Sequence, residues 1–106
     1  MNLERAKVQE NLPKKGFIEI SDRSHIFYHF YYEGRKTHIR THVSHGSNYK
    51  TLGSDLVSKM AKQCKVITKD FRSLAECTLS HGAYVSLLQQ SGELEILPIS
   101  DLNPDL

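Results

Sequence analysis

The segment Ser24 to Tyr32 (SHIFYHFYY) is the densest aromatic and β-branched run in the chain. Glu33-Gly34 follows as a turn signal, and Lys36 to Val43 (KTHIRTHV) then alternates cleanly between two residue classes. Two strand patterns around a short glycine-containing turn specify an antiparallel hairpin. Because side chains alternate across a strand, each strand divides into two faces. In the later strand His38, Arg40 and His42 share one face, and Thr37, Ile39, Thr41 and Val43 the other. In the earlier strand the sets are Ile26, Tyr28, Phe30 and Tyr32 against His25, Phe27, His29 and Tyr31. Taking the first of these as core puts His25, His29, His38, Arg40 and His42 on one open surface. A β-bulge would swap the faces locally.

The flanking sequence supplies what the hairpin packs on. Residues 3–12 read as a short helix with Leu3, Val8 and Leu12 on a weak apolar face, ended by Pro13. Lys14-Lys15-Gly16 is a turn, Phe17 to Ile20 a short strand, and Ser21-Asp22-Arg23 a polar break. After a polar loop over 44–51, Ser54 and Asp55 suit a helix start, with Leu56, Val57, Met60, Ala61 and Cys64 inside. Ser58, Lys59, Lys62 and Lys65 stay outside. Further helices begin at Thr68 (Phe71, Leu74 and Ala75 apolar) and at Ser80 (Tyr84, Val85, Leu87 and Leu88), the last closed by Gly92. Glu93 to Ile99 reads as an edge strand or a draped tail. The expected architecture is α+β, a small antiparallel sheet with helices on one face. An antiparallel sheet can leave its other face to solvent or to a ligand.

Length and charge narrow the functional classes. The 106 residues, 39% of them hydrophobic, suit one domain with a modest core. No apolar run approaches the roughly 18 residues that span a bilayer. Residues 1–20 lack the apolar centre of a secretory signal, so a cytoplasmic protein is expected. Cys64 and Cys77 give neither a disulfide framework nor a CxxC pair, and the helix pattern buries both. From Gly34 to Arg72 nine basic residues face two acids, whereas Gln89 to Leu106 holds four acids and no base. A basic middle beside an acidic end suggests a surface for a polyanion. Five of the six histidines lie between His25 and His45.

A surface of imidazole, guanidinium and aromatic groups suits two chemistries. In RNA cleavage the ribose 2′-OH attacks its own phosphodiester, one group taking its proton and another protonating the leaving oxygen. Histidine does either near neutral pH, and arginine or lysine binds the phosphate. Metal binding is the alternative, but strand residues four apart, such as His25 and His29 or His38 and His42, sit ~13 Å apart at the backbone. That is too far for one zinc, whose bonds are about 2.0 Å; a cross-strand pair could manage it, but no Asp, Glu or Cys is placed to complete the shell. Against both stands the ordinary reading. Most histidines on an exposed strand face are merely solvated, Phe27 and Tyr31 pack across strands, and Lys59, Lys62 and Lys65 are a helix's wet side.

Several short motifs carry a resemblance: Gly16-Phe17, Ser24-His25-Ile26-Phe27, Gly34-Arg35, His45-Gly46, and Leu52-Gly53-Ser54-Asp55-Leu56 before Lys59 to Cys64. Over Pro13 to Val66 the chain resembles the HicA family of toxins. That resemblance implies a double-stranded-RNA-binding-domain-like α-β-β-β-α two-layer sandwich, here with extra C-terminal helices. It also implies an mRNA endoribonuclease that needs no metal or other cofactor and is neutralised by a HicB-like antitoxin. By position the catalytic histidine is His25, with Ser24 beside it and His45 in support. Arg23 stands where the family has glycine, and either adds a phosphate contact or crowds the edge. Val43-Ser44 stands where a proline is usual.

The resulting division is a core over 1–66, a helical extension of the same domain over 67–92, and an acidic tail over 93–106. Residues 93–106 either fold back over the basic middle as an acidic cover, stay disordered until a partner binds, or form a solvated tail packing Leu94 and Ile96 on the sheet edge. His25 is the expected general acid or base, with His29, His38 and His42 as candidates for the second proton carrier. Arg23, Arg40 and Lys50 are expected to contact RNA phosphate. A non-catalytic RNA-binding module, or a domain that receives a protein partner on the open sheet, is the alternative.

Overall fold

Three strands, β2 (Phe17–Ser21), β3 (His25–Tyr32) and β4 (Arg35–Ser44), form an antiparallel sheet in the order β2-β3-β4. The structure is a computed structural model and describes residues 3–44 and 51–94. The β3–β4 turn is two residues long, Tyr32 pairing with Arg35, and both Glu33 (φ 50°) and Gly34 (φ 76°) are left-handed. Such turns match the right-handed strand twist, so the Glu33-Gly34 signal acts as the hairpin closure. Around this sheet lie β1 (Leu3–Glu4), α1 (Arg5–Asn11), a 3-10 turn (Pro13–Lys15), β5 (Thr51–Leu52), α2 (Ser54–Gln63), α3 (Thr68–Ala75) and α4 (His81–Ser91).

One bulge interrupts the hairpin, and it preserves the faces. His29 pairs with Arg40 and Tyr31 with Lys36, so Thr37, His38 and Ile39 stand opposite Phe30 alone. Two extra residues on β4 restore the alternation, whereas one would have inverted it. The backbone groups freed there are met by one side chain. Thr37 Oγ1 donates to the Phe30 carbonyl at 2.7 Å and accepts from the Ile39 N–H at 3.2 Å. Ile26, Tyr28, Phe30, Ile39 and Val43 consequently all enter the core.

The same core takes in every helix. Val8, Val57, Met60, Phe71, Leu74, Tyr84 and Leu88 join those strand residues in one cluster. Tyr84 of α4 stacks on Phe17 at 5.7 Å between ring centroids and meets Phe30 edge-on at 5.0 Å. Its hydroxyl donates to the Cys64 carbonyl at the end of α2, 2.8 Å away. Asn11 Nδ2 bonds the Ala75 carbonyl, and Thr41 Oγ1 donates to Gln63 Oε1, joining α1 to α3 and β4 to α2. The chain is thus an α+β globule whose 67–92 segment shares the core of the preceding part. No helix among the described residues is long and apolar enough to cross a membrane.

Local departures from the sequence expectation have identifiable causes. Residues 3–4 are a strand because Leu3 pairs with Leu52 and Glu4 with Thr51, which also gives the supposed loop residue Thr51 a strand role. Pro13 opens a 3-10 turn, consistent with its lack of a helical N–H. Gly16 (φ 100°) follows, in a position where a Cβ would lie 2.9 Å from the Phe30 ring. The α2 cap is Gly53, with Ser54 already inside the helix. Leu56 is exposed because it falls off the buried Val57–Met60–Ala61 stripe. Cys77 is exposed, not buried: it stands after α3 in a left-handed conformation (φ 66°) that ends the helix periodicity. Ser80 does cap α4, accepting the Ala83 N–H at 3.1 Å, and Gly92 (φ 73°) closes it. Leu94 packs against the core, while Ile96 and the rest of the acidic tail lie outside the described residues.

Candidate nucleic-acid interface

The face of the sheet turned away from the helices carries Ile18 and Ile20 from β2, His25, Phe27, His29 and Tyr31 from β3, and Lys36, His38, Arg40 and His42 from β4. Cross-strand pairing fixes their neighbours: Ile20 beside Phe27 beside His42, and Ile18 beside His29 beside Arg40. Ile18 and Ile20 are each 47% exposed, an unusual place for two large aliphatic side chains. With Phe27 they make an apolar strip flanked on one side by imidazoles. Their exposure follows from parity. Phe17 enters the core between Phe30 and Tyr84, so Ile18 and Ile20, one and three residues on, point to the opposite face.

His25 and His42 meet at one end of this face. Their ring centroids are 5.0 Å apart and the planes nearly perpendicular, at 84°. Phe27 touches both, at 5.8 Å from His25 and 5.4 Å from His42. His25 opens β3, and its backbone is fixed by the turn before it. Asp22 Oδ1 accepts the N–H groups of Ser24 at 2.8 Å and of His25 at 2.7 Å, and the Asp22 N–H donates to the His25 carbonyl. An aspartate bonding the chain two and three residues ahead is a local turn device, so the Ser21-Asp22-Arg23 break is an anchor for His25. Burial holds the His42 imidazole below its ordinary value of 6.5, and the nearby charges of His25, Lys59 and Arg40 push in the same direction.

His29 lies farther along β3 and is 9% exposed. Burial again lowers its pKa, aided by Lys36 and Arg40. His38 is exposed and stands in the bulge, four residues from His42 along β4 and so apart from the His25–His42 pair. Arg40 is exposed opposite His29, while Arg23 and Ser24 are exposed in the turn before His25. His45 and Lys50 lie outside the described residues. Among the described residues no group of three or more His, Cys, Asp or Glu side chains is arranged to hold a metal ion.

Several contributors were not singled out by sequence reasoning. Ile18 and Ile20 were assigned to a strand but to no face; their parity with Phe17 is the signal. In the sequence Lys36 stands out only as the start of a strand pattern within the basic run, and Lys59 only as part of that run and of a helix's wet side. Nothing in the spacing of Lys59 reveals that α2 brings it near His42. No protein-family model, curated protein or solved structure matches this chain.

Proposed function

We propose that the open sheet face binds single-stranded RNA and that His25 and His42 cleave it by paired proton transfer, without a metal. The observation that carries this reading is the contact of these two imidazoles above Phe27 at the end of a solvent-facing sheet. His42, held in its neutral form, takes the proton of a ribose 2′-OH. The 2′-oxygen bonds to phosphorus, the bond from phosphorus to the 5′-oxygen breaks, and His25 gives that oxygen its proton. The products are a 2′,3′-cyclic phosphate and a 5′-hydroxyl. Arg40 supplies charge to the phosphate, and a base beside the scissile bond stacks on Phe27.

The resemblance to HicA toxins supports the same histidine, His25, and the order α1-β2-β3-β4-α2 suits a double-stranded-RNA-binding-domain-like arrangement. In this reading the substrate is mRNA in the cytoplasm and the neutralising partner a HicB-like antitoxin. The Ile18–Ile20–Phe27 strip favours a second reading, an RNA-binding module that does not cut. Incubating labelled RNA with the protein in excess EDTA, beside His25→Ala, separates them. Cleavage by the native chain that vanishes in the variant is the expected result. Intact RNA with a retained gel shift makes the chain a binding module, and neither cutting nor shift at low salt leaves a protein-docking surface.

A further inference from the structure

The bulge in β4 opens a cavity of about 270 Å³ lined by His29, Lys36, Thr37, His38 and Arg40. Its composition is one-sided: two permanent cations, two imidazoles, a hydroxyl and no carboxylate. Among the described residues neither Lys36 nor Arg40 forms an ion pair. A concavity lined by cations without acids focuses a positive potential and raises the local concentration of anions. We propose that this bulge pocket is a phosphate-binding site for the RNA strand, distinct from the His25–His42 pair. The part of this inference that names RNA rests on the function proposed above; the phosphate site itself does not.

The geometry explains why the site is here. Extra residues on one strand push it out of the sheet and re-aim their side chains. Thr37 turns inward to satisfy the Phe30 carbonyl, so Lys36, His38 and Arg40 are left to bracket the hollow beside it. His29 forms the wall on β3, with Ile18 on its other side. The His29 wall of the pocket stands four residues, ~13 Å along the backbone, from His25, while Arg40 stands two residues, ~7 Å, from His42 and links the pocket to the cleavage pair. Between them stand Phe27 and Ile20. A strand laid along β3 would thus meet the imidazole pair, an apolar platform for a base, and then a cationic socket for a more distant phosphate. The groups facing His29 are Lys36, His38 and Arg40 of β4 and the uncharged Ile18 of β2. Burial first, and then the charges of Lys36 and Arg40, hold the His29 pKa below its ordinary value.

NMR titration of the six histidines with inorganic phosphate, against chloride at matched ionic strength, tests the site on the free protein. Phosphate should move the His29 ring signals saturably and raise the His29 pKa, because an anion there favours the imidazolium. Lys36→Gln and Arg40→Gln should each weaken that response at least several-fold, whereas Lys69→Gln on α3 should not. If His29 responds no more to phosphate than to chloride, the pocket is not a phosphate site, whatever RNA does. An RNA oligonucleotide with His25→Ala protein, which binds without cutting, should displace inorganic phosphate from His29. Lys36→Gln should also reduce the slope of log affinity against log salt by about 0.7 for single-stranded RNA. Phosphate binding that RNA fails to displace would overturn the assignment to the strand and leave a site for free phosphate.

Discussion

His25 and His42 lie on adjacent strands with their rings 5.0 Å apart and nearly perpendicular, and Phe27 contacts both. Neither is fully buried, so each can be replaced with little effect on packing. His25→Ala and His42→Ala should each slow RNA cleavage by about 10²- to 10⁴-fold, the usual worth of a positioned acid or base. The double variant should be little worse than either single one, because groups that act as a unit are not additive. Thermal melts of all three should stay near that of the native chain. Single-turnover cleavage rates check this.

Phe27→Ala should weaken RNA binding by about 5- to 150-fold, corresponding to the ~1–3 kcal/mol of a stacked base. Phe27→Tyr should retain most of the affinity, since the ring face remains. Fluorescence anisotropy with a short labelled RNA, on the His25→Ala background to prevent cutting, measures this directly.

Thr37 is the keystone of the bulge, accepting from Ile39 and donating to Phe30. Thr37→Val keeps the shape but leaves both backbone groups unpaired in the core. It should cost about 1–3 kcal/mol of stability by urea denaturation. Thr37→Ser, which keeps the hydroxyl, should recover most of that loss.

The histidines also set a pH dependence. His29 and His42 have folded-state pKa values below 6.5, so between those values and 6.5 the unfolded chain binds more protons. Stability therefore rises with pH in that window. The contribution is complete above about pH 7 and is lost as pH falls through the depressed values. Melting temperature should drop on acidification from pH 7 toward 5, before carboxylates titrate, and the drop should shrink in a His29→Gln, His42→Gln double variant.

Much of this architecture is legible in the sequence where side-chain parity is unambiguous. Val43, Thr41, Ile39 and Thr37 against His42, Arg40 and His38 mark the two faces of β4, whereas β3 is aromatic on both faces and only its packing places Tyr28 and Phe30 inside. The bulge is not legible, because a two-residue shift preserves alternation and leaves no trace in the pattern. Its consequence, the hollow between His29 and Lys36, Thr37, His38 and Arg40, follows only from register. The tertiary role of Lys59 and the exposure of Cys77 depend on where helices stop and what they face, which local periodicity does not encode. Conversely, the Ser80 cap and Gly92 closure of α4 are local devices, and the sequence shows both.

The most direct test of the account is the chemistry of the product ends. RNA cleaved by the native protein in excess EDTA should carry a 2′,3′-cyclic phosphate on one fragment and a 5′-hydroxyl on the other, by mass spectrometry. A substrate with 2′-O-methyl groups throughout should bind yet remain intact. Fragments bearing 5′-phosphates, or cleavage of the methylated strand, would contradict proton transfer to and from the ribose by His42 and His25.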